Sequence, residues 1–508
     1  MPCRCRTPFV TFISSLANEA RIAASGLIDY VTGNGLRLGV TGLSRSGKTV
    51  FITALIHNLL RLPKTSAAGN GEMFPVFRVH AENRLTRAFL QPQPDDNVAR
   101  FEYENHFADL TGGARGPDAR QWPQSTRRIS ELRITLEFER TSGWRKGADH
   151  LTIDIIDYPG EWLLDLPLLT QDYAAWSHET LEAAASPSRA LFARDWRNFL
   201  ASIDPSAEAS EADARQAADM FTAYLRACRD DRYALSTLPP GRFLLPGDME
   251  GSPALTFSPL PLGPGASITG NSLAAMMQRR FEAYKTHVIR PFFRDHFARL
   301  DRQIVLVDVL SALNSGPGAV RDLETALSGV MSAFRTGQSS FLTSIFRPKI
   351  DRILFAATKA DHLHHSSHDR LEEILRLMVQ RAIARAENLG AITDIIAMAA
   401  VRATREVNVR HDGQMLEAIS GFPLAGESVH GETFDGSAEA AIFPGELPAD
   451  PKSVFAGEGV AISDADAAYR FLRFRPPLPG PMTDGQSAPL PHIRLDRALE
   501  FLFGDKLV

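Results

Sequence analysis

The chain has 508 residues, 44% hydrophobic and 23% charged, enough for several domains around ordinary cores and unlike a disordered or fibrous protein. A net charge of −5 gives no electrostatic footing on nucleic acid or anionic lipid. Cys3, Cys5 and Cys228 are too few for a disulfide framework or a four-cysteine zinc site, which points to a reducing compartment, and no apolar run reaches the ~18 residues of a membrane span.

Residues 1–35 begin with arginines before an apolar patch, as a signal peptide does, but the patch is short and broken by Ser and Thr. Ile13, Leu16, Ala17, Ala20 and Ala24 fall instead at helical spacing and predict an amphipathic helix packed on the rest of the chain. "GLRLGVTG" (35–42) reads as a buried strand and "TVFITALIHNLL" (49–60) as a helix. Pro, Gly and Ser then punctuate a loop with one short strand, and 94–127 reads as irregular. "ISELRITLEF" (129–138) alternates as a strand buried on one face, and "LTIDIIDYPG" (151–160) returns beside it as an antiparallel hairpin. From 163 to 300 the pattern is helical, with a Pro/Gly-rich interlude and a long last helix near 270–300. "RQIVLVDVL" (302–310), "RILFAATKAD" (352–361) and "DIIAMAAVRAT" (394–404) are further strands, separated by helices near 319–335 and up to about 388. The tail from 405 has hairpin-like segments, an acidic Pro/Gly-rich linker near 436–465 and a final amphipathic helix. Alternating strands and helices with one hairpin predict an α/β fold with a mixed, mostly parallel sheet.

Gly42-Leu43-Ser44-Arg45-Ser46-Gly47-Lys48-Thr49 fits G-x-x-x-x-G-K-[ST] at every fixed position, between an apolar strand and a helix. Glycines let backbone amides turn inward around phosphate oxygens, so Gly42, Ser44, Arg45, Ser46, Gly47 and Val50 are expected around a nucleotide. Lys48 supplies a charge to the outer phosphates, Thr49 offers a hydroxyl to Mg²⁺, and the helix start favours the anion. A second loop should supply an acidic partner for the metal's water shell. Asp157 is preferred to Asp308, because Gly160 follows it at D-x-x-G spacing and leaves room for a backbone amide near the γ-phosphate. Asp308 is expected to be a strand-end structural residue. Glu161 stands next, where its carboxylate would orient attacking water or slow attack by repulsion. Thr126, in "WPQSTRRISELRI", is the expected switch threonine, catalytic and on the metal; Ser125 and Thr65 are the weaker alternatives. Arg45, Arg127 and Arg128 each offer a cation for transition-state charge, and nothing in the sequence selects one.

"ATKAD" (357–361) closes its strand as the guanine element [NT]-K-x-D does. Asp361 would accept from two guanine N–H groups that adenine lacks, Lys359 would lay its stem across the base, and Thr358 would tie this loop to the phosphate loop. Ala399, Ala400 and Val401 are expected beside the base. His362, His364, His365 and His368 invite a metal reading, rejected because no cysteine is near, and the acidic run 208–219 is expected to be a solvated helix face.

"VTGLSRSGKTVFITALIHNLL", "WPQSTRRISELRI", "DYPGEWLLDLPLL", "RQIVLVDVLSALN", "TKADHL", "FLRFRPP" and "HIRLDRALEFLFGDKL" together resemble the bacterial YcjX-like stress-protein family, which is similar to Ras-like GTP-binding proteins. The resemblance implies a Ras-like P-loop NTPase fold with a large mainly helical insertion and a C-terminal α+β extension. It also implies a cytoplasmic GTPase using GTP/GDP and Mg²⁺, linked to envelope stress and an inner-membrane protein partner. Gly42, Gly47, Lys48, Thr49, Asp157, Gly160, Lys359 and Asp361 carry the family's functional positions. The expected organisation is a packed helix (1–35), two halves of a nucleotide domain (36–165 and 301–404) around the insertion (166–300), and the extension (405–508). Sitting directly behind the D-x-x-G loop, the insertion is placed to sense that loop or supply a stimulating group in cis. The functional expectation is a GTP-driven conformational switch with slow Mg²⁺-dependent hydrolysis. An ATP-driven machine using Asp308, or a GTP-dependent scaffold with negligible turnover, are the alternatives.

Overall fold

The computed structural model describes residues 34–508 apart from 44, 68–73, 142–145, 231–232, 263–267, 269, 333–349, 412, 430–431, 458–468, 470, 479 and 481–487. The helix expected in 1–35 and the loop residue Ser44 therefore lie outside the described residues, as does part of the 436–465 linker.

Eight strands form the main sheet: β1 (Gly35–Gly42), β2 (Leu85–Gln91), β3 (Ala99–Arg100), β4 (Ser130–Arg140), β5 (Gly147–Asp157), β6 (Arg302–Val307), β7 (Arg352–Ala357) and β8 (Ile392–Ala397). Their order is β2-β4-β5-β1-β6-β7-β8, with β3 beside β4. The pairs from β5 through β8 are parallel, and β4 runs antiparallel to both β5 and β2. The sheet is thus mixed and mostly parallel. All its parallel strands end at one edge, where open α/β sheets bind ligands.

The antiparallel β-hairpin of β4 and β5 fell where the alternation put it, but β4 is not half solvated: from Ser130 through Leu136 both faces are buried. Its apolar face (Leu132, Ile134, Leu136) joins Phe51, Ile52, Leu55 and Leu59 of helix α1 (Lys48–Ala67) in one core. The polar face is buried through pairing. Arg133 holds Asp154 of β5 in a two-pronged ion pair at 2.6 and 2.8 Å, and Thr135 meets Thr152 at 3.2 Å. A bidentate pair satisfies both charges and lets a polar stripe face the interior.

Other boundaries moved for local reasons. Helix α1 runs on to Ala67, past the expected stop near 60, and the stretch read as irregular holds helix α2 (Tyr103–Thr111) and β3. β2 escaped notice because an edge strand with one buried end carries little periodicity. The long helix near 270–300 is broken into Leu273–Tyr284, a wide turn at Lys285–Ile289, and Arg290–Asp295. Pro291, with no N–H to donate, stands at the start of the last piece.

The insertion adds helices α3 (Tyr173–Ala185), α4 (Ala190–Ser202), α5 (Glu211–Cys228) and α6 (Leu273–Tyr284) around a cluster of aromatic rings, Trp176, Trp196, Phe221, Phe257 and Phe281. Ser210 caps α5 by accepting from Asp213 N, with the acidic run at its start as expected near a helix N-terminus. Beyond β8 lies a three-stranded antiparallel sheet, Arg405–His411, Gln414–Gly421 and Ala440–Ile442. The last helix, Leu495–Phe503, returns Leu495, Leu499, Leu502 and Phe503 to the core that holds β1. Buried Arg302 at the start of β6 fastens this end of the chain by binding Asp505 through both its terminal nitrogens at 2.6 Å.

Candidate functional site

Between β1 and α1 the backbone must reverse around a small space. Arg45 (φ 65°) and Gly47 (φ 86°) take left-handed conformations to do so. Gly42 is needed for a different reason: a Cβ there would lie 2.2 Å from Ser46 Oγ and 2.7 Å from the Leu306 carbonyl oxygen. Lys48 folds back over the loop and donates to the carbonyls of Gly42 (2.8 Å) and Leu43 (3.3 Å). Its burial pushes the ammonium pKa below the ordinary lysine value, with Glu161 and Asp157 nearby opposing the fall. Ser46 Oγ is buried without a hydrogen-bond partner, so a polar atom faces into the loop unsatisfied.

Asp157 ends β5 beside this loop. The Thr126 hydroxyl donates to Asp157 Oδ2 at 2.5 Å and lies 3.2 Å from Thr49 Oγ1. Burial lifts the Asp157 carboxyl to about 6, against the pull of Lys48 and the Thr126 hydrogen bond, and Oδ1 is buried with no partner. Two hydroxyls and a carboxylate with one unsatisfied oxygen are an all-oxygen donor set, which suits a hard cation such as Mg²⁺. Thr65 falls within α1, and Ser125 lines the cleft.

Gly160 is packed against the phosphate loop so closely that a Cβ would sit 2.2 Å from the Gly42 carbonyl oxygen and 2.7 Å from Lys48 Nζ. The segment after it, Gly160–Thr170, is wound as 3₁₀ turns and pressed into the insertion. Glu161 is buried and ion-paired with Arg229. Trp162 donates to the Leu245 carbonyl at 3.0 Å and lies under the Arg242 guanidinium. Asp165 accepts from Gly241 N (2.6 Å) and from the Tyr284 hydroxyl (2.5 Å).

Beyond β7, Lys359 adopts a left-handed conformation (φ 61°) and pairs with Asp308, which also caps the helix Val309–Ser315 by accepting from Ser311 N at 3.1 Å. Asp308 is therefore engaged by a helix cap and by Lys359. Asp361 Oδ2 accepts from Ala403 N at 2.8 Å and the Asp361 carbonyl from the Thr404 hydroxyl. The Thr358 hydroxyl does not tie this loop to the phosphate loop as expected. It donates to the Val307 carbonyl of the neighbouring strand at 3.3 Å.

A cleft of about 260 Å³ runs between these two ends. Arg45, Ser46, Gly47, Lys48, Thr49 and Val50 line one end, with Thr126 and Glu161 beside them. Thr358, Lys359, Asp361, Ala400 and Val401 line the other. One model of a protein family matches residues 36–507, that of the YcjX-like family, DUF463. The chain belongs to the YcjX-like family. Among its relatives, a protein of Escherichia coli (strain K12) named Ras-like GTPase YcjX is 39% identical over 481 residues, covering 93% of this chain and 96% of the relative. Another of that name, from Shewanella oneidensis (strain MR-1), is 35% identical over 485 residues, covering 93% and 94%.

This YcjX-like chain brings to the cleft several residues that sequence reasoning passed over. Arg473 and Phe474 line it from more than 70 residues beyond β8, and the Phe474 carbonyl accepts from Trp122 Nε1 at 2.6 Å. His362 faces the Phe474 ring edge-on, and Met398 also lines the cleft. No spacing rule links 473–474 to the loops, so only their place in "FLRFRPP", one of the segments that resemble the family, hinted at a role. Arg229, at the end of α5 and lining a smaller cavity beside the cleft, carried no signal at all. Of the four histidines, His368 binds the Ala360 carbonyl at 2.9 Å. His364 and His365 meet Glu406 on the surface, where His365 Nδ1 pairs with it at 2.8 Å. Among the described residues no helix is long and apolar enough to cross a membrane.

Proposed function

We propose that the chain binds guanine nucleotides with Mg²⁺ in this cleft, hydrolyses GTP slowly, and uses the loop around Gly160 as a conformational switch. The observation that carries this reading is the convergence on one cleft of the phosphate loop, the Thr49–Thr126–Asp157 group and the T-K-x-D loop, in a chain whose relatives are named GTPases. Lys48 and the loop amides of Gly42 to Val50 would hold the phosphates. Thr49, Thr126 and Asp157 would hold the metal, which when bound neutralises charge on the outer phosphates. Asp361 would read the base, with Thr358, Lys359, Ala400 and Val401 around it.

The insertion's many bonds to residues 161–165 support a switch, because any movement of that loop must be shared with the insertion. The domain division expected from chain order belongs to the same reading, as do a role in envelope stress and an inner-membrane partner.

Calorimetric titration of nucleotide-free protein with GDP, a GTP analogue, ADP and an ATP analogue, each with Mg²⁺, tests it. Binding of guanine nucleotides alone is expected. Equal or tighter adenine binding would remove Asp361 from base recognition.

A further inference from the structure

Three arginines were open to neutralise charge at the phosphate end, and of these Arg45 lines the cleft. Arg45 is exposed and its Nη1 donates to the Arg229 carbonyl at 3.1 Å; Arg127 is exposed, and Arg128 points out to Glu102 at 3.3 Å. Arg229 differs. It closes α5 of the insertion, where its backbone N–H bonds the Leu225 and Ala227 carbonyls, and its guanidinium pairs with buried Glu161, which itself lines the cleft. Glu161 directly follows the glycine whose missing Cβ leaves 2.7 Å to Lys48 Nζ.

A cavity of about 60 Å³ lies beside this pair and shares Arg45, Ser46 and Glu161 with the main cleft. Arg229 lines it, so the side chain has room to turn without displacing packed core. The Arg229 charge is also felt at Lys48, which it makes harder to keep protonated. Two cations held this close, with Glu161 between them, make a site that a further anion would relieve.

We propose that Arg229 is a catalytic arginine supplied in cis by the helical insertion, and that Glu161 is its dock between turnovers. This rests on the guanine-nucleotide reading above. In hydrolysis a water oxygen bonds to the γ-phosphorus as the bond to the β–γ bridging oxygen breaks. The electron pair stays on the bridging oxygen of GDP, and the water's proton leaves with the phosphate or to solvent. Arg229 donates hydrogen bonds to the oxygens gaining charge in that step, which a planar fork does better than an ammonium. Chain connectivity makes the group permanently available, so no separate activating protein need bring it.

The test compares full-length wild type, Arg229→Ala and Arg229→Lys. GDP affinity is measured by calorimetry, capture of the GDP–aluminium fluoride transition-state mimic by retention of fluorescent GDP, and hydrolysis in single turnovers. Arg229→Ala is expected to keep GDP affinity within about threefold, to lose capture of the mimic, and to slow hydrolysis ~10²–10³-fold. Arg229→Lys should recover no more than ~10-fold of that rate, and it replaces the alanine variant if that one fails to fold. Unchanged capture of the mimic by either variant would overturn the proposal. So would a loss of GDP and mimic binding in equal measure, which marks a structural ion pair only. If wild type binds no GDP, the guanine-nucleotide reading itself falls, a result distinct from either of these.

Discussion

The Thr126 hydroxyl donates to Asp157 Oδ2 at 2.5 Å and so closes the loop ahead of β4 onto the end of β5. The register explains why they meet. β4 and β5 run antiparallel with Ser130 opposite Asp157, so a residue four positions before Ser130 must fold over the neighbouring strand's end. Thr49 joins from the phosphate loop at 3.2 Å, which puts three oxygen donors from three segments in one place.

Thr126→Ala should therefore weaken a Mg²⁺-loaded GTP analogue about 10-fold, about 1.4 kcal/mol, while GDP changes less than about threefold. Because the Asp157 carboxyl is lifted to about 6 by burial, it loses its charge as pH falls through that value. The Mg²⁺ dependence of wild-type affinity should then be weaker at pH 5.5 than at pH 7.5. Titrations with and without Mg²⁺ at both pH values check this, and equal losses for GDP and the analogue would remove Thr126 from the metal.

How much of this could be read from the residues depends on whether a constraint is local. The phosphate loop was legible because left-handed Gly47 and the contact of Gly42 with Ser46 are demanded within a few residues, although the Leu306 carbonyl also crowds Gly42. The D-x-x-G and T-K-x-D loops followed from apolar strands, whose ends the sheet brings to one edge. Phe474 reaches the cleft, and Arg229 the smaller cavity beside it, only through tertiary packing, from an irregular return and a helix end, and neither element has a period that points to it. β4 misled in one respect. Alternation identifies the face of a residue, not what covers that face, and the Arg133–Asp154 pair let the polar side be covered.

Asp361→Asn tests the base-reading assignment. The carboxylate accepts one internal hydrogen bond, from Ala403 N, and guanine would supply donors to the rest. An amide presents a donor where guanine also donates, so GDP affinity should fall about 10²-fold, near 2.7 kcal/mol, while xanthosine diphosphate, with a carbonyl at that edge, gains. Competition between the two nucleotides measures the change. Loss of both to the same degree would mean that Asp361 supports the loop and does not read the base.

Gly160→Ala tests the close approach of the second loop. Its backbone torsion accepts a side chain, so the cost is steric: the added Cβ would meet the Gly42 carbonyl at 2.2 Å and the Leu43 carbonyl carbon at 2.8 Å. This loop backbone cannot give as a flexible side chain would, and overpacking of this kind costs about 1–3 kcal/mol. A lower thermal midpoint is expected together with at least ~10-fold weaker binding of the GTP analogue. A variant with the wild-type midpoint and affinity would show that the loop does not need to lie this close.

Asp165 gives a pH signature for the junction between that loop and the insertion. Its carboxyl is pushed up to about 7, first by burial, against the stabilising hydrogen bonds from Tyr284 and Gly241. A raised carboxyl means that the folded chain holds a proton the unfolded chain has released between about pH 4 and 7. Its contribution to stability is therefore fully present below the unfolded value and is lost as pH rises through about 7, by up to about 1.4 kcal/mol per pH unit within that window. Asp165→Asn cannot titrate and should lose no such contribution. Relative to wild type, the variant should gain stability on going from pH 5 to pH 7.5, since contributions from other groups cancel in the difference. Urea unfolding of both proteins at the two pH values measures it, and a difference independent of pH would show that Asp165 is ionised throughout, with the Tyr284 hydroxyl bonding a carboxylate.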